Sequence, residues 1–149
     1  MARFVFLLSI FLFSDICFSE CQDVGTDNSF LCVKVVYVVD GDTFKVDING
    51  VHPLIGKNML IRILGVDAPE IHSRRSCESK AGNDSKEFLK NILMNAKRID
   101  LQNVQKDKYF RFDARVVADG VDVGAALLSQ KKAVSYNGGT KKKWACNKK

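Results

Sequence analysis

Residues 31–48 have the sequence LCVKVVYVVDGDTFKVDI, and this stretch decides the fold that the sequence predicts. Leu31–Val39 is rich in β-branched residues, which favour the pleated backbone of a strand. Asp40-Gly41-Asp42 is a turn signal, and apolar and polar residues then alternate from Thr43 to Ile48. The apolar residues of this second run fall on one face: Phe44, Val46 and Ile48. The stretch therefore predicts a β-hairpin with one buried side.

Beyond the hairpin and a loop over 49–56, the sequence alternates between strand and helix patterns. Further strands are predicted in three runs of β-branched and apolar residues: Met59–Val66, Ile99–Val104 and Phe112–Ala118. Apolar residues at helical spacing predict an amphipathic helix over 79–97 and a second, shorter helix over 121–131. This order predicts an α+β fold, predominantly β, in which a five-stranded OB-fold barrel carries two to three packed helices. A two-layer α+β sandwich is the alternative.

Composition and charge narrow the class of protein. The chain has 149 residues, of which 46% are hydrophobic and 27% charged, and this suits one soluble globular domain. It excludes collagen-like, low-complexity and multi-spanning membrane chains. The formal net charge of +6 comes from the last segment, because residues 131–149 contain lysines and no acid. Such a lysine-rich tail attracts phosphate backbones without reading sequence, and a merely solvated face is the alternative.

The N-terminal segment predicts export. A short basic start precedes the apolar run Phe4–Phe13, and small and polar residues follow, as in a secretory signal peptide. The run is too short for a transmembrane helix, which needs about 20 apolar residues. We expect a signal peptide over 1–19 with cleavage near Ser19, a polar segment over 20–30 and one domain over 31–149. The predicted location is the medium or the periplasm.

Export also determines the chemistry expected of the cysteines. Cleavage leaves an even number of them in an oxidising compartment, which favours disulfides over free thiols: Cys21, Cys32, Cys77 and Cys146. Four cysteines allow three pairings, and we favour Cys21–Cys32 with Cys77–Cys146. A zinc site is the competing interpretation, but the sequence has no Cys-x-x-Cys spacing to support it.

Charged residues near the predicted strand ends supply candidate functional groups. Arg62 lies inside an apolar strand, and its permanently charged guanidinium needs a partner or a ligand there. Asp67 and Glu70 follow at the exit of that strand, and Asp42 lies in the hairpin turn. An internal Arg62–Glu70 ion pair that only fixes the strand exit is the alternative interpretation.

Together these groups match the needs of phosphodiester hydrolysis. Asp42 and Asp67 are hard oxygen ligands suited to Ca²⁺ or Mg²⁺. Glu70 is suited to orienting or deprotonating a water molecule. Arg62 and Arg111 are suited to clamping a phosphate and offsetting the charge that develops on it.

At these residues the sequence resembles the staphylococcal-nuclease-like (thermonuclease) family. The resemblance covers most of the chain, from about residue 33 to residue 136, and rests on three groups of residues: Asp40-Gly41-Asp42-Thr43, then Arg62 with Asp67 and Glu70, then Asp107-Lys108-Tyr109 with Arg111. It implies an OB-fold barrel and Ca²⁺-dependent cleavage of DNA and RNA that leaves a 3′-phosphate and a 5′-hydroxyl. Phe110 and Phe112 depart from the family's best-known member, which has glycines on both sides of the arginine.

The resemblance also implies a role for each matching residue. Its catalytic residues correspond to Arg62, Glu70 and Arg111. Its metal ligands correspond to Asp42, Asp67 and the backbone carbonyl of Ala68. Substrate contacts are expected from the matching loop, from a tyrosine near the C-terminal end and from the lysine run: Lys108, Tyr109, Tyr136, Lys141, Lys142 and Lys143.

The predicted function is a secreted, Ca²⁺-dependent nuclease with little sequence specificity. The alternative is a non-catalytic nucleic-acid-binding module on the same OB fold. The joint presence of two arginines, a glutamate and two aspartates favours the enzyme, because a binding module has no need of the whole set. The expected partners are DNA and RNA substrates. We expect a monomer without stable membrane association once the signal peptide is removed.

Overall fold

A computed structural model describes residues 28–107, 109–141 and 143–146. The predicted signal peptide, Cys21, Lys108 and Lys142 lie outside the described residues, so the Cys21–Cys32 pairing stays a prediction. Among the helices of the described ranges, none combines the length and the apolar character that crossing a membrane requires.

The predicted hairpin forms the first two strands. β1 spans Lys34–Val38 and β2 spans Thr43–Asp47, and the two pair in antiparallel register with Val38 opposite Phe44. The inward residues Phe44 and Val46 are completely buried, and a fully buried side chain of this size contributes about 1.5–3 kcal/mol by leaving water. The alternation seen in the sequence therefore sets which face of the hairpin meets the core.

The other elements follow the predicted order, with short additions. The strands are β3 (Met59–Ile63), β4 (Val66–Asp67), β5 (Ile99–Lys106), β6 (Phe112–Ala118), β7 (Val121–Asp122) and β8 (Val134–Ser135). The helices are α1 (Pro53–Gly56), α2 (Ser76–Asn95) and α3 (Val123–Ser129). The two longer helices overlap the predicted ones, with ends shifted by up to three residues, and α1 adds a single turn inside the predicted loop.

The main sheet curls until its two ends meet. Its strand order is β1-β2-β3-β6-β5, with β3 and β6 parallel and the other neighbours on this path antiparallel. The segment just before β1 bonds to β5, because Phe30 N donates to Leu101 O at 2.8 Å and Val33 N to Ile99 O at 2.9 Å. These bonds join the segment before β1 to β5, and so connect the two ends of the sheet. The predicted α+β barrel of the OB type is therefore confirmed, rather than a two-layer sandwich.

Two local predictions were wrong. The third strand does not run to Val66, because it stops at Ile63 and the chain turns at Gly65, whose φ of +79° suits a residue without a Cβ. The predicted loop over 49–56 contains α1, whose first turn is favoured by Pro53 and capped by the His52 side chain. The break after Ile63 matters for function, because it lets the short strand β4 leave the sheet carrying Asp67.

Helix α2 covers one side of the barrel and anchors the C-terminal tail. Its buried face includes Leu89 and Leu93, in agreement with the predicted amphipathic pattern. Near its first turn, Cys77 forms a disulfide with Cys146, and the two Cα atoms lie 6.0 Å apart. This is the pairing that the sequence favoured for these two cysteines, and it ties the tail to the body of the protein.

Candidate active site

The barrel brings two aspartates to one arginine. Arg62 lies on β3 opposite Thr43 of β2, so its side chain lies beside the hairpin turn that carries Asp42. Its Nη2 atom lies 3.4 Å from Asp42 Oδ2 and 3.1 Å from Asp67 Oδ1. Both aspartates are buried, with 6% of their surface exposed. One carboxylate from the hairpin turn and one from β4 thus share one half-buried cation.

The Asp42 carboxylate is held by further hydrogen bonds. Thr43 Oγ1 donates to Asp42 Oδ1 at 2.7 Å, and the backbone N–H of Ala68 donates to Asp42 Oδ2 at 3.1 Å. The turn approaches the rest of the protein closely, since a Cβ on Gly41 would lie 2.7 Å from the Cβ atoms of Ala68 and Ser85. A glycine is therefore needed at this position for the turn to seat Asp42 against the Ala68 backbone.

Glu70 is positioned by the packing of helix α2 against its loop. A Cβ on Gly82 of α2 would lie 2.7 Å from Pro69 O and 3.0 Å from the backbone carbon of Glu70, so the helix and the loop are in direct contact. Ser79 Oγ also donates to Ile71 O at 2.6 Å. The backbone of Glu70 is thus fixed between two anchored neighbours, whereas its side chain is 63% exposed at the pocket.

Arg111 lies at the end of the loop between β5 and β6. Its Nε donates to Asp107 of the same loop, and its guanidinium lies 5.5 Å from the centre of the Tyr109 ring. The two phenylalanines beside it differ in role. Phe112 packs on Phe30 with ring centres 6.1 Å apart, whereas Phe110 is 68% exposed with a φ of +52°.

These groups surround a pocket of about 1020 Å³. Among the described residues that line it, carboxylates outnumber cations: Asp40, Asp42, Glu70, Asp107 and Asp113 against Arg62, Arg111 and Lys141. Tyr136 closes one side, with the Arg62 guanidinium 5.3 Å from its ring centre. The pocket can therefore place two guanidinium groups and several carboxylates around one small ligand.

Burial and neighbouring charges shift the pKa of several groups in the pocket. Burial raises the pKa of Asp40 to about 6, and the charge of Asp42 acts in the same direction. Burial also raises the pKa of Asp113, with a further contribution from Asp107. Burial alone would lower the pKa of Arg62, but Asp42 and Asp67 outweigh it, so that the pKa lies above its usual value. Carboxylates are thus crowded here, and the arginine stays charged.

The structure gathers most of the residues that the sequence singled out. The described residues that line the pocket include eight of them: Asp42, Arg62, Ala68, Glu70, Tyr109, Arg111, Tyr136 and Lys141. Asp67 joins through its contact with Arg62. Lys143 is exposed and lies outside the lining, and the two remaining lysines lie outside the described residues.

The alternative interpretation of Arg62, in which it forms an ion pair with Glu70, was wrong about the partner. Arg62 contacts Asp42 and Asp67, whereas Glu70 accepts a hydrogen bond from Lys141 at 3.0 Å. The predicted Arg62–Glu70 ion pair at the strand exit is therefore absent from the described residues. The turn at Leu64–Gly65 instead brings Asp67 back to the arginine and leaves Glu70 on the other side.

Sequence reasoning missed Asp113 as a pocket residue. It pairs in register with Arg62 across the parallel β3–β6 contact, and it lines the pocket. Its Oδ1 atom is buried and has no hydrogen-bond partner within the described part of the chain. An acid inside the strand Phe112–Ala118 was a usable signal, but without the parallel pairing nothing linked it to Arg62.

The donor atoms suit a hard divalent cation bound with help from water or a ligand. Asp42 and Asp67 supply carboxylate oxygens next to the same Arg62 nitrogen, and Ala68, whose carbonyl is the predicted third ligand, lines the pocket. The described residues contain no cluster of three or more His, Cys, Asp or Glu side chains able to hold a metal by themselves. A divalent cation held by only two carboxylates takes its remaining oxygen ligands from water or from a bound phosphate.

Comparison with known proteins places this arrangement in a family. The family model described as "Staphylococcal nuclease homologue" matches residues 60–147, which is more than half of the chain. That stretch contains Arg62, Asp67, Glu70 and Arg111, and it includes the tail up to Cys146. The resemblance predicted from the spacing of these residues is therefore confirmed.

Individual relatives agree with the family match. A thermonuclease of Staphylococcus hyicus is 35% identical over 79 residues, covering 52% of this chain and 43% of the relative. The SPbeta prophage-derived endonuclease YokF of Bacillus subtilis (strain 168) is 35% identical over 96 residues, covering 62% of this chain and 30% of the relative. This chain thus spans less than half the length of these relatives.

Proposed function

This chain belongs to the staphylococcal nuclease homologue family, and on that premise we propose that it is a metal-dependent nuclease. In this proposal it hydrolyses phosphodiester bonds of DNA and RNA with Ca²⁺ as the cofactor. The observation that carries the proposal is the convergence of Arg62, Glu70 and Arg111 on one pocket beside the buried Asp42–Asp67 pair. A phosphate held there meets two fixed cations and a carboxylate at the same time.

The charge of the pocket supports the need for a metal. Carboxylates outnumber cations among the described lining residues, so a phosphodiester anion would be repelled unless a further cation entered with it. We assign Asp42, Asp67 and the Ala68 carbonyl to hold that cation. When bound, Ca²⁺ supplies charge neutralisation and polarises a phosphate oxygen.

Glu70 is the group suited to activating water. Its carboxylate is exposed at the pocket while its backbone is fixed by α2, so it can accept a proton from a water molecule. In the proposed reaction the oxygen of that water bonds to phosphorus as its proton passes to Glu70. The bond from phosphorus to the 5′ oxygen breaks, and that oxygen takes a proton from solvent. The products are a 3′-phosphate and a 5′-hydroxyl.

The two arginines offset the charge that builds up on phosphorus during this step. Within the described residues, the hydrogen bonds of Arg62 all use Nη2, so the other N–H groups of its guanidinium can donate to phosphate oxygens. Arg111 approaches from the β5–β6 loop on another side of the pocket. Loss of one such donor typically slows an enzyme by about 10² to 10³.

The proposed substrates are DNA and RNA without strong sequence preference. The pocket presents groups suited to phosphate and an aromatic face at Tyr136, which every base or sugar can contact. The lysine-rich tail adds attraction to the phosphate backbone that does not depend on sequence. We also propose that the protein acts outside the cytoplasm, as its N-terminal sequence predicts, and that it is a monomer.

A hydrolysis assay with matched variants tests this function. The purified chain should degrade single-stranded DNA and RNA with Ca²⁺ and stop when the ion is chelated. Glu70→Gln should slow the reaction by about 10² or more, because the water loses its proton acceptor. Glu87→Gln, a change of the same kind on the exposed side of α2, should leave the rate unchanged.

Equal rates for the two variants would contradict the assignment of Glu70. Binding without cleavage by the unmodified chain would favour the non-catalytic module.

A further inference from the structure

Lys141, in the lysine-rich tail, contacts two carboxylates of the site. Lys141 Nζ lies 2.8 Å from Asp67 Oδ1 and 3.0 Å from Glu70 Oε1. Asp67 Oδ1 is the same oxygen that contacts Arg62 Nη2. One oxygen that is suited to a metal ion is therefore shared between two positively charged side chains.

Lys141 is held at this place by contacts on both sides of it along the chain. Before it, β8 pairs with β4, and Tyr136 N donates to Gly65 O at 2.9 Å. After it, Cys146 is bonded to Cys77, and Arg75 Nη1 donates to Trp144 O at 3.0 Å. The tail is thus tied to the barrel and to helix α2, which distinguishes Lys141 from a freely moving surface lysine.

The balance of charges favours an ammonium group at this position. Lys141 Nζ contacts one oxygen of each carboxylate and its side chain is 48% exposed, so two anions and water stabilise its charged form. Lys141 therefore remains charged where it meets the two carboxylates. A divalent cation bound to Asp67 would lie about 2.3–2.6 Å from its oxygen and would be repelled by an ammonium group on that same atom.

We propose that Lys141 is an internal competitor for the metal position, so that Asp67 binds either the ammonium group of Lys141 or a divalent cation. This inference rests on the proposed function, since it assumes that Asp67 takes part in metal binding. Metal binding then requires Lys141 to leave Asp67, and the released ammonium group stays at the pocket, where Glu70 or a substrate phosphate can accept its hydrogen bonds. The tail thereby sets how much Ca²⁺ the protein needs.

Calorimetric titration of the full chain with Ca²⁺, in the absence of nucleic acid, tests this competition. Lys141→Met should lower the Kd for Ca²⁺ by about tenfold or more, because one repelling unit charge next to the ion is removed. Lys143→Met removes an exposed lysine of the same tail and should leave the Kd unchanged. Lys141→Arg keeps the charge and should keep the weaker affinity. Thermal denaturation without Ca²⁺ verifies that the three variants are folded.

Each outcome of this titration decides the inference. An unchanged or higher Kd in Lys141→Met would overturn it and would leave the nuclease proposal standing, since that proposal depends on hydrolysis and on Glu70. Equal tightening in Lys141→Met and Lys143→Met would also overturn it, because the effect would then come from general tail charge. If neither the unmodified chain nor Lys141→Met binds Ca²⁺, the competition fails together with the metal part of the proposed function.

Discussion

The two sides of the pocket are built in different ways. The strand side, defined as Asp42, Arg62 and Asp67, lies on or next to the strands of the barrel and is nearly buried. The tail side, defined as residues 136–141, is mostly exposed and is fastened by the β4–β8 pairing and the Cys77–Cys146 disulfide. The strand side is therefore part of the folded core, whereas the tail side is a separate segment attached to it.

The charged groups of the two sides differ in whether they can exchange one partner for another. Buried carboxylates lose hydration and need a permanent partner, which Arg62 supplies from inside a core strand. An exposed lysine such as Lys141 can exchange one partner for another at little cost, because water solvates it when it leaves. We therefore expect the strand side to govern stability and the tail side to govern ligand binding.

The largest expected effect comes from removing the central cation of the strand side. Arg62→Met should slow hydrolysis by about 10² or more and lower the free energy of unfolding by about 4 kcal/mol, because two buried carboxylates lose the guanidinium that they share. Arg111→Met should slow hydrolysis similarly but lower the free energy of unfolding by less than about 1 kcal/mol, because its nearest partner Asp107 lies on the same loop and its second partner Asp113 is 3.9 Å away. Urea denaturation and rate measurements test both. Equal losses of stability would contradict the distinction between a core and a loop arginine.

Removing the disulfide should loosen the tail side more than the strand side. The bond closes a loop with a sequence separation of 69 residues, and its loss in Cys77→Ala/Cys146→Ala should lower the free energy of unfolding by about 3 kcal/mol. Under native conditions, hydrogen exchange should become faster in residues 134–146 through local opening, by more than the loss of protection that the lower global stability causes in β2 and β3. If β2 and β3 lost protection as much as the tail did, the two sides would be one cooperative unit.

The smallest expected effect concerns Asp113, whose Oδ1 atom is buried next to the strand side. The fold raises the pKa of Asp113, so its ionised form weakens stability at pH values above the raised pKa. Asp113→Asn should therefore raise the free energy of unfolding by about 0.5–1 kcal/mol at pH 7. This gain should shrink as the pH falls through the raised pKa and vanish below the usual value of 3.8, where Asp113 is protonated in both states.

Chemical denaturation between pH 3 and pH 8 measures the Asp113 effect. The control is Asp84→Asn on the exposed side of α2, which should leave stability nearly unchanged at every pH. A gain for Asp113→Asn that persisted at low pH would show that its cause is packing rather than charge.

The parts of the fold that were predictable are those decided by local pattern. Alternation at Phe44, Val46 and Ile48 predicted the buried face of β2, and helical spacing predicted the face of α2 with Leu89 and Leu93. These patterns work because the core selects one face of each element, whatever its neighbours are. The turn at Gly65 was missed, because the apolar run continues through it and gives no local sign of a break.

The residues of the candidate site were predictable where they lie at a characteristic spacing from one another in the sequence. Arg62, Asp67 and Glu70 are close in sequence, and the hairpin turn fixes Asp42 near them. The partners of these residues were not predictable, because they depend on which strands pair. The parallel β3–β6 contact brings Asp113 beside Arg62, and the return of the tail brings Lys141 to Glu70 over 71 residues of sequence.

The sequence by itself determined the type of fold, the family and the chemical groups of the site, since hydrophobic period and residue spacing are local properties of the chain. Only the tertiary structure decided which charges share a partner. A strand break at Leu64–Gly65 turned Asp67 toward Arg62, and a disulfide brought Lys141 onto Asp67 and Glu70. Electrostatic interactions act through space at a few ångströms, so the pairing of these charges is fixed only when the barrel and its tail are assembled.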